Sequence, residues 1–147
     1  MFKFEFVNHS CIILSHNNVS LAMDPWIEGS VFNNSWDLLT KTPKKSIESL
    51  KKSQFIWFSH EHPDHFNPPN LKIFSDKNSF IFQKTVDNRV VKFLSKISPN
   101  VKEINFKENF QISENFSIQV IPFQYLDSMS IVRIENFRTF QFLFFFV

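Results

Sequence analysis

Phe55-Ile56-Trp57-Phe58-Ser59-His60-Glu61-His62-Pro63-Asp64-His65-Phe66 decides how the rest of the chain is read. Its first four residues are a continuous apolar run of strand length, the pattern of a strand covered on both faces. Four metal-ligand side chains then follow within six residues, His60, His62, Asp64 and His65. A loop at the end of a buried strand is where sites collect, because the scaffold fixes its position while its side chains stay accessible. Alternation along an extended segment projects His60, His62 and Asp64 to one side, and the adjacent His65 turns toward a neighbouring position. Neutral imidazole and carboxylate are good zinc ligands. A single loop histidine is ordinarily a solvated or locally satisfied group. Three beside an aspartate, without a metal, leave competing donors and acceptors and, in acid, repelling charges.

Working outward toward the N-terminus, Phe2 to Val7 alternates with period two, and Cys11 to Ser15 and Val19 to Met23 are short apolar runs separated by His16-Asn17-Asn18. This predicts a strand followed by a hairpin. Asp24-Pro25 ends the third strand, and Trp26 to Thr40, without a period, is a loop over the surface or the site. Thr42-Pro43 predicts a helix N-cap, with the helix running to about Lys52 and Ile47 and Leu50 inward. Past the histidine run, Asn67-Pro68 repeats the cap signal for a helix to about Phe74. Phe80 to Gln83 reads as a strand, Asp87 caps a helix to about Ile97, and Val101 to Phe106 is a strand. From Phe110 onward the pattern becomes hairpins, with strands at Phe116 to Ile121, Met129 to Ile134 and Thr139 to Val147.

These elements make one domain, residues 1–147, of α/β class. A chain of 147 residues removes about 70% of its unfolded surface from water, enough for a core. Sixteen basic against fourteen acidic residues give a net charge of +2, with basic residues clustered only in pairs, so no nucleic-acid partner is expected. Cys11 is the single cysteine and cannot form an internal disulfide, which fits a reducing, cytoplasmic setting. It reads as a small buried apolar residue or as a reactive thiol. One glycine excludes glycine-rich phosphate loops. The phenylalanine-rich tail is too short for a membrane span.

The run His60-x-His62-x-Asp64-His65 after an apolar strand resembles the metal-binding motif of the metallo-β-lactamase fold, whose members are mostly zinc hydrolases. The N-terminal half agrees: Val7-Asn8-His9-Ser10-Cys11-Ile12-Ile13-Leu14 and Leu21-Ala22-Met23-Asp24-Pro25-Trp26 look like the opening strands of its branch of ascorbate-lactone hydrolases and N-acyl-phosphatidylethanolamine phospholipase D-type enzymes. The resemblance implies an αββα sandwich with its first half complete and its second half partial.

It also implies that His60 and His62 bind a first metal and Asp64 and His65 a second. Zinc is the expected ion, with manganese or iron as alternatives. Hydroxide at the metal then attacks an ester, lactone, amide or phosphodiester of a small-molecule substrate, and Asp64 orients it as a catalytic residue. Histidine at position 62 favours hydrolysis over redox chemistry, since the diiron redox branch usually carries glutamate there. Asp24 resembles the buried aspartate that supports the metal loop, or is an ordinary strand-ending aspartate. His9 near the mouth of the site is a substrate contact or a turn residue, with His16 a weaker candidate. Trp26, with Phe32 and Trp36, walls the site or anchors its loop.

Members of this family also carry a third histidine, a bridging aspartate and usually a further histidine later in the chain, whereas His65 is the last histidine here. Asp127 is either a substitute oxygen ligand or a turn-forming aspartate. These gaps imply a C-terminally incomplete domain and a second function class: a catalytically incomplete homologue retaining metal or ligand binding. The apolar strand Thr139 to Val147 is an expected edge for self-association.

Overall fold

The computed structural model describes residues 1–122, 128–134 and 142–145. Six strands form the first sheet, in spatial and chain order: β1 (Phe2–Asn8), β2 (Cys11–His16), β3 (Val19–Met23), β4 (Phe55–Trp57), β5 (Ser79–Gln83) and β6 (Val101–Ile104). β1 to β3 are antiparallel, and β3 to β6 run parallel to one another. The change follows from the connections. Tight turns join β1 to β2 and β2 to β3, whereas the segments from β3 to β6 carry α1 (Lys44–Lys52), a 3-10 helix (Pro68–Ile73) and α2 (Arg89–Ile97). A second, antiparallel sheet has the order β10-β9-β8-β7, from β7 (Asn109–Ser113), β8 (Phe116–Pro122), β9 (Ser128–Ile134) and β10 (Phe142–Phe145).

Both faces of the first sheet are covered, as the apolar run of β4 requires. Cys11, Ile13, Ala22, Ile56, Phe58, Phe80 and Phe82 pack on one face with Leu50 of α1, Val90 and Leu94 of α2, and Phe66 and Leu71. Ile12, Leu14, Leu21, Met23, Trp57 and Ile81 pack on the other against Phe116, Ile118, Val120, Val132 and Ile134 of the second sheet. The described layers are therefore helix, sheet, sheet. Trp57 and Phe58, consecutive and fully buried, point into opposite cores, each contributing about 1.5–3 kcal/mol through removal of apolar surface from water. Cys11 is buried, and its thiol pKa is raised well above the usual value by burial first, then by the charges of Asp24 and Glu5. It is an inert packing residue.

Several local expectations need correction. Thr42 does not cap α1: its hydroxyl donates to the Ile27 carbonyl at 2.6 Å, and Pro43 holds the cap position without a side-chain bond. Tethering the loop outcompetes capping because helix α1 is already held by Leu50 in the core. The segment after Asn67 is 3-10 rather than α, and the Asn67 amide donates back to the Pro63 carbonyl at 2.9 Å. Asn88, in the left-handed region at φ 53°, rather than Asp87 occupies the N-cap of α2, although Asp87 still accepts the Arg89 N–H at 3.2 Å. With a single glycine, left-handed turns fall largely to asparagine: Asn17, Asn18, Asn33, Asn34 and Asn88 all have positive φ. Asp127 and most of the expected strand from Thr139 lie outside the described residues. β10 stands at one end of its sheet.

Candidate metal centre

β3 and β4 run parallel, with Met23 opposite Trp57, so the two chains leave the sheet side by side. This juxtaposition places Asp24 against Ser59. Asp24 has φ 47°, and its N–H donates to the Trp57 carbonyl at 3.0 Å. Its buried carboxylate accepts the Ser59 N–H on Oδ1 and the Ser59 hydroxyl on Oδ2, both at 2.7 Å. Oδ2 also accepts from Nδ1 of His65 at 2.9 Å. Ser59 is fully buried and its hydroxyl oxygen lies 2.9 Å from Nδ1 of His60 and 3.2 Å from Nδ1 of His65.

Since the Ser59 proton is committed to Asp24, this network assigns the imidazole protons to the Nδ1 atoms of His60 and His65. In the neutral form of each ring, Nε2 then carries the lone pair. Outer partners that fix the tautomer in this way are what orient histidines toward a metal. Ser59 is the hub that sequence reasoning passed over. The signal available was a small polar residue between an apolar strand and the first histidine.

The loop does not stay extended. Past His62 it curls, and the N–H groups of His65 and Phe66 both donate to the His62 carbonyl, at 2.9 and 2.7 Å. The turn divides the ligands into two groups, which replaces the expected alternation. Nε2 of His60 faces Nδ1 of His62 at 2.9 Å. Oδ2 of Asp64 lies 3.4 Å from Nε2 of His65 and 3.0 Å from Nε2 of His9. His9, from the turn between β1 and β2, is thus directly on the cluster. His9, Asp64 and His65 together offer three ligand atoms lying within 4.8 Å of one another.

Zinc holds its ligands tetrahedrally at about 2.0–2.1 Å, which sets neighbouring ligand atoms about 3.3 Å apart. The separations of 2.9 Å, 3.0 Å and 3.4 Å lie around that value, and the atoms are imidazole nitrogens and a carboxylate oxygen. The residues fit a divalent cation.

Electrostatics separate the histidines. The His60 pKa is pushed down to about 4, by burial first and then by the neighbouring His65 and His62 charges, against the pull of Asp24 and Asp64. Burial pushes His65 the same way, but the hydrogen bond to Asp24 and the charges of Asp24 and Asp64 outweigh it, and its pKa is raised. His60 is therefore neutral at pH 7, the form that ligates metal.

The remaining expected residues fall around this cluster. Trp26 is buried, its indole N–H donates to the Gly29 carbonyl at 2.9 Å, and its ring packs edge-on to His9 at 5.1 Å. Phe32 and Trp36 are exposed, 5.2 Å apart and edge-on, with Phe32 6.4 Å from His62 and Trp36 6.5 Å from His9. Their loop is pinned by Asn70 of the 3-10 helix, whose Oδ1 accepts the N–H groups of Ile27 and Glu28 at 2.6 and 3.1 Å. Asn70 was not singled out in the sequence, since nothing local distinguishes it. His16 is buried on β2, away from the cluster.

A sequence profile described as "Beta-lactamase superfamily domain" matches residues 3–138, and the chain belongs to that family. Its folded neighbours agree. CmlA, a diiron beta-hydroxylase from Streptomyces venezuelae, superposes with a TM-score of 0.69 at 15% identity, covering 96% of this chain and 29% of that one. An isothiocyanate hydrolase from Delia radicum gut bacteria gives 0.68 at 12% identity, covering 96% and 61%. Among curated proteins, the cytidine monophosphate-N-acetylneuraminic acid hydroxylase of Danio rerio is 29% identical over 102 residues, 68% of this chain and 17% of that protein. The chain thus spans about a sixth of the length of that curated relative. The metallo-β-lactamase fold expected from the histidine motif is the fold found. No helix among the described residues is long and apolar enough to cross a membrane.

Proposed function

We propose that this chain is a metal-dependent hydrolase domain in which His60 and His62 hold one ion and Asp64 and His65 face a second, with zinc the preferred metal. The observation that carries this reading is the pair of facing ligand groups held from behind by Asp24 and Ser59. When bound, the ion supplies Lewis-acid polarisation of a carbonyl or phosphoryl group and an acidified water. The Asp64 carboxylate, set between the His9 and His65 nitrogens, orients the attacking water and receives its proton. Asp24 positions His65, and Ser59 positions His60. A cleft of about 270 Å³ beside His60, bordered by Gln83, Thr85 and Arg89, gives a small-molecule substrate room to approach. Phe32 stands 6.4 Å from His62 and Trp36 6.5 Å from His9.

Iron-dependent hydroxylation is the second reading, favoured because the diiron beta-hydroxylase CmlA shares the fold and the Danio rerio relative is a hydroxylase. Metal content after chelator-free purification, with turnover of an ester, lactone and phosphodiester panel, tests both. Zinc bound and hydrolysis lost in a His60→Ala, His62→Ala double variant is the expected result. Iron bound with oxygen-dependent turnover supports the second reading. Metal binding without turnover of any substrate moves the chain to a metal- or ligand-binding role. No binding tighter than that of the double variant overturns the metal reading altogether.

A further inference from the structure

Among the described residues, Asp64 and His65 bring two ligand atoms within 3.4 Å of each other. A catalytic metal ordinarily takes three protein ligands and keeps one position open for water. We propose that His9 is the third ligand of the second metal site, so that a three-ligand centre is built from His9, Asp64 and His65. This rests on the metal reading above and assigns His9 a role different from both the substrate contact and the turn residue its sequence position suggested.

Three observations carry the assignment. Nε2 of His9 is 3.0 Å from Oδ2 of Asp64, and the same oxygen is 3.4 Å from Nε2 of His65, so two imidazoles converge on one carboxylate oxygen from different elements. Both separations are close to the spacing of about 3.3 Å that tetrahedral coordination sets. Each imidazole is also held. His65 is tied through Nδ1 to Asp24. His9 sits at φ 48° in the turn from β1 to β2, a conformation that costs energy for a residue with a Cβ, and its ring is clamped edge-on by Trp26 at 5.1 Å and Trp36 at 6.5 Å. Finally, the His9 side chain is about one-third exposed whereas that of Asp64 is 9% exposed, so the cluster opens to solvent on the His9 side, where a water completes a fourth position. A histidine serving only the turn has no need to reach a carboxylate 55 residues away.

The test is calorimetric zinc titration of the chelator-stripped 147-residue protein, paralleled by cobalt(II) absorbance as a report on coordination number. His9→Asn is the variant of choice, since asparagine tolerates the left-handed turn and circular dichroism verifies that the fold is kept. Wild type should bind two equivalents. His9→Asn should retain the equivalent held by His60 and His62 and weaken the other about 100-fold or more, exceeding the roughly 10–100-fold effect of losing an outer partner. The cobalt band of that second site should fall with it. His62→Ala should do the reverse, keeping the equivalent that depends on His9. Two equivalents with unchanged affinity in folded His9→Asn overturn the proposal and leave the metal reading standing. So does a single equivalent in wild type that is lost in His62→Ala and untouched in His9→Asn. A wild-type protein that binds no zinc removes both.

Discussion

The two sheets of this protein are built from similar apolar strands and do different work. Around the first sheet, side chains from its turns and connections are committed to one another across long sequence distances: Asp24 to Ser59, His9 to Asp64, Asn70 to Ile27. The second sheet contributes, among its described residues, Ile112, Phe116, Ile118, Val120, Val132 and Ile134 to the shared core and no member of the candidate metal centre. Packing stabilises both regions, and among the described residues the first adds a buried polar network centred on Asp24 and Ser59. Apolar burial is non-directional, whereas each hydrogen bond to Asp24 fixes an atom in place. Damage to the two should therefore look different.

The largest effect on stability is expected in the second sheet. Phe116 is fully buried in the core between the sheets, and Phe116→Ala should lower the unfolding free energy by about 3–5 kcal/mol. Urea denaturation measures this. Zinc affinity of the remaining folded protein should stay within about twofold of wild type, because no ligand or ligand support is touched. A parallel collapse of affinity would break the distinction between the sheets.

Asp24→Ala should cost about 3 kcal/mol, since it strands the Ser59 N–H, the Ser59 hydroxyl and Nδ1 of His65 and puts alanine at φ 47°. Here stability and zinc affinity should fall together, and Asp24→Asn, which retains an acceptor and suits the backbone, should recover part of both. Equal affinity in Asp24→Ala and wild type would show that the network supports the fold but not the ligands.

Acid should act on the first sheet alone. The folded His60 pKa of about 4 lies below the ordinary 6.5, so the unfolded chain binds more protons between those values. His60 thus contributes stability that is complete above about 6.5 and lost as pH falls toward about 4. His65 has the opposite sign: its raised pKa adds stability below about 6.5 that disappears as pH rises through its folded value. For metal-free protein, the drop in urea midpoint from pH 7 to pH 5 should be smaller in His60→Asn than in wild type and larger in His65→Asn. Identical pH profiles in all three would rule out this assignment.

The smallest expected effect is at the rim. Trp36 is 52% exposed, and Trp36→Ala should change unfolding free energy by no more than about 0.5 kcal/mol. A larger loss by urea denaturation would mean that the 31–36 loop holds the structure together rather than standing over the site.

Much of this architecture is legible in the sequence wherever one face or one short segment carries the signal. The run Phe55 to Phe58 announces a doubly covered strand, and Val19 to Met23 and Phe116 to Ile121 mark strands within a residue of their ends. The spacing of His60, His62, Asp64 and His65 identifies ligand chemistry before any fold is known. Local pattern misleads where a tertiary bond competes for the same atom. Thr42 has the makings of an N-cap, but its hydroxyl is spent on Ile27, and the loop that alternation would extend is curled by two bonds to the His62 carbonyl.

What the sequence determined by itself was the kind of donor atoms and the strand that presents them, because both depend on residues within a few positions of each other. The grouping of those donors was decided only by tertiary structure. Parallel pairing of Met23 with Trp57 sets Asp24 beneath Ser59, and the tight turn from β1 to β2 swings His9 onto Asp64. Neither contact has a local signature, since a sheet's register is fixed by the burial of all its strands at once and not by any segment alone.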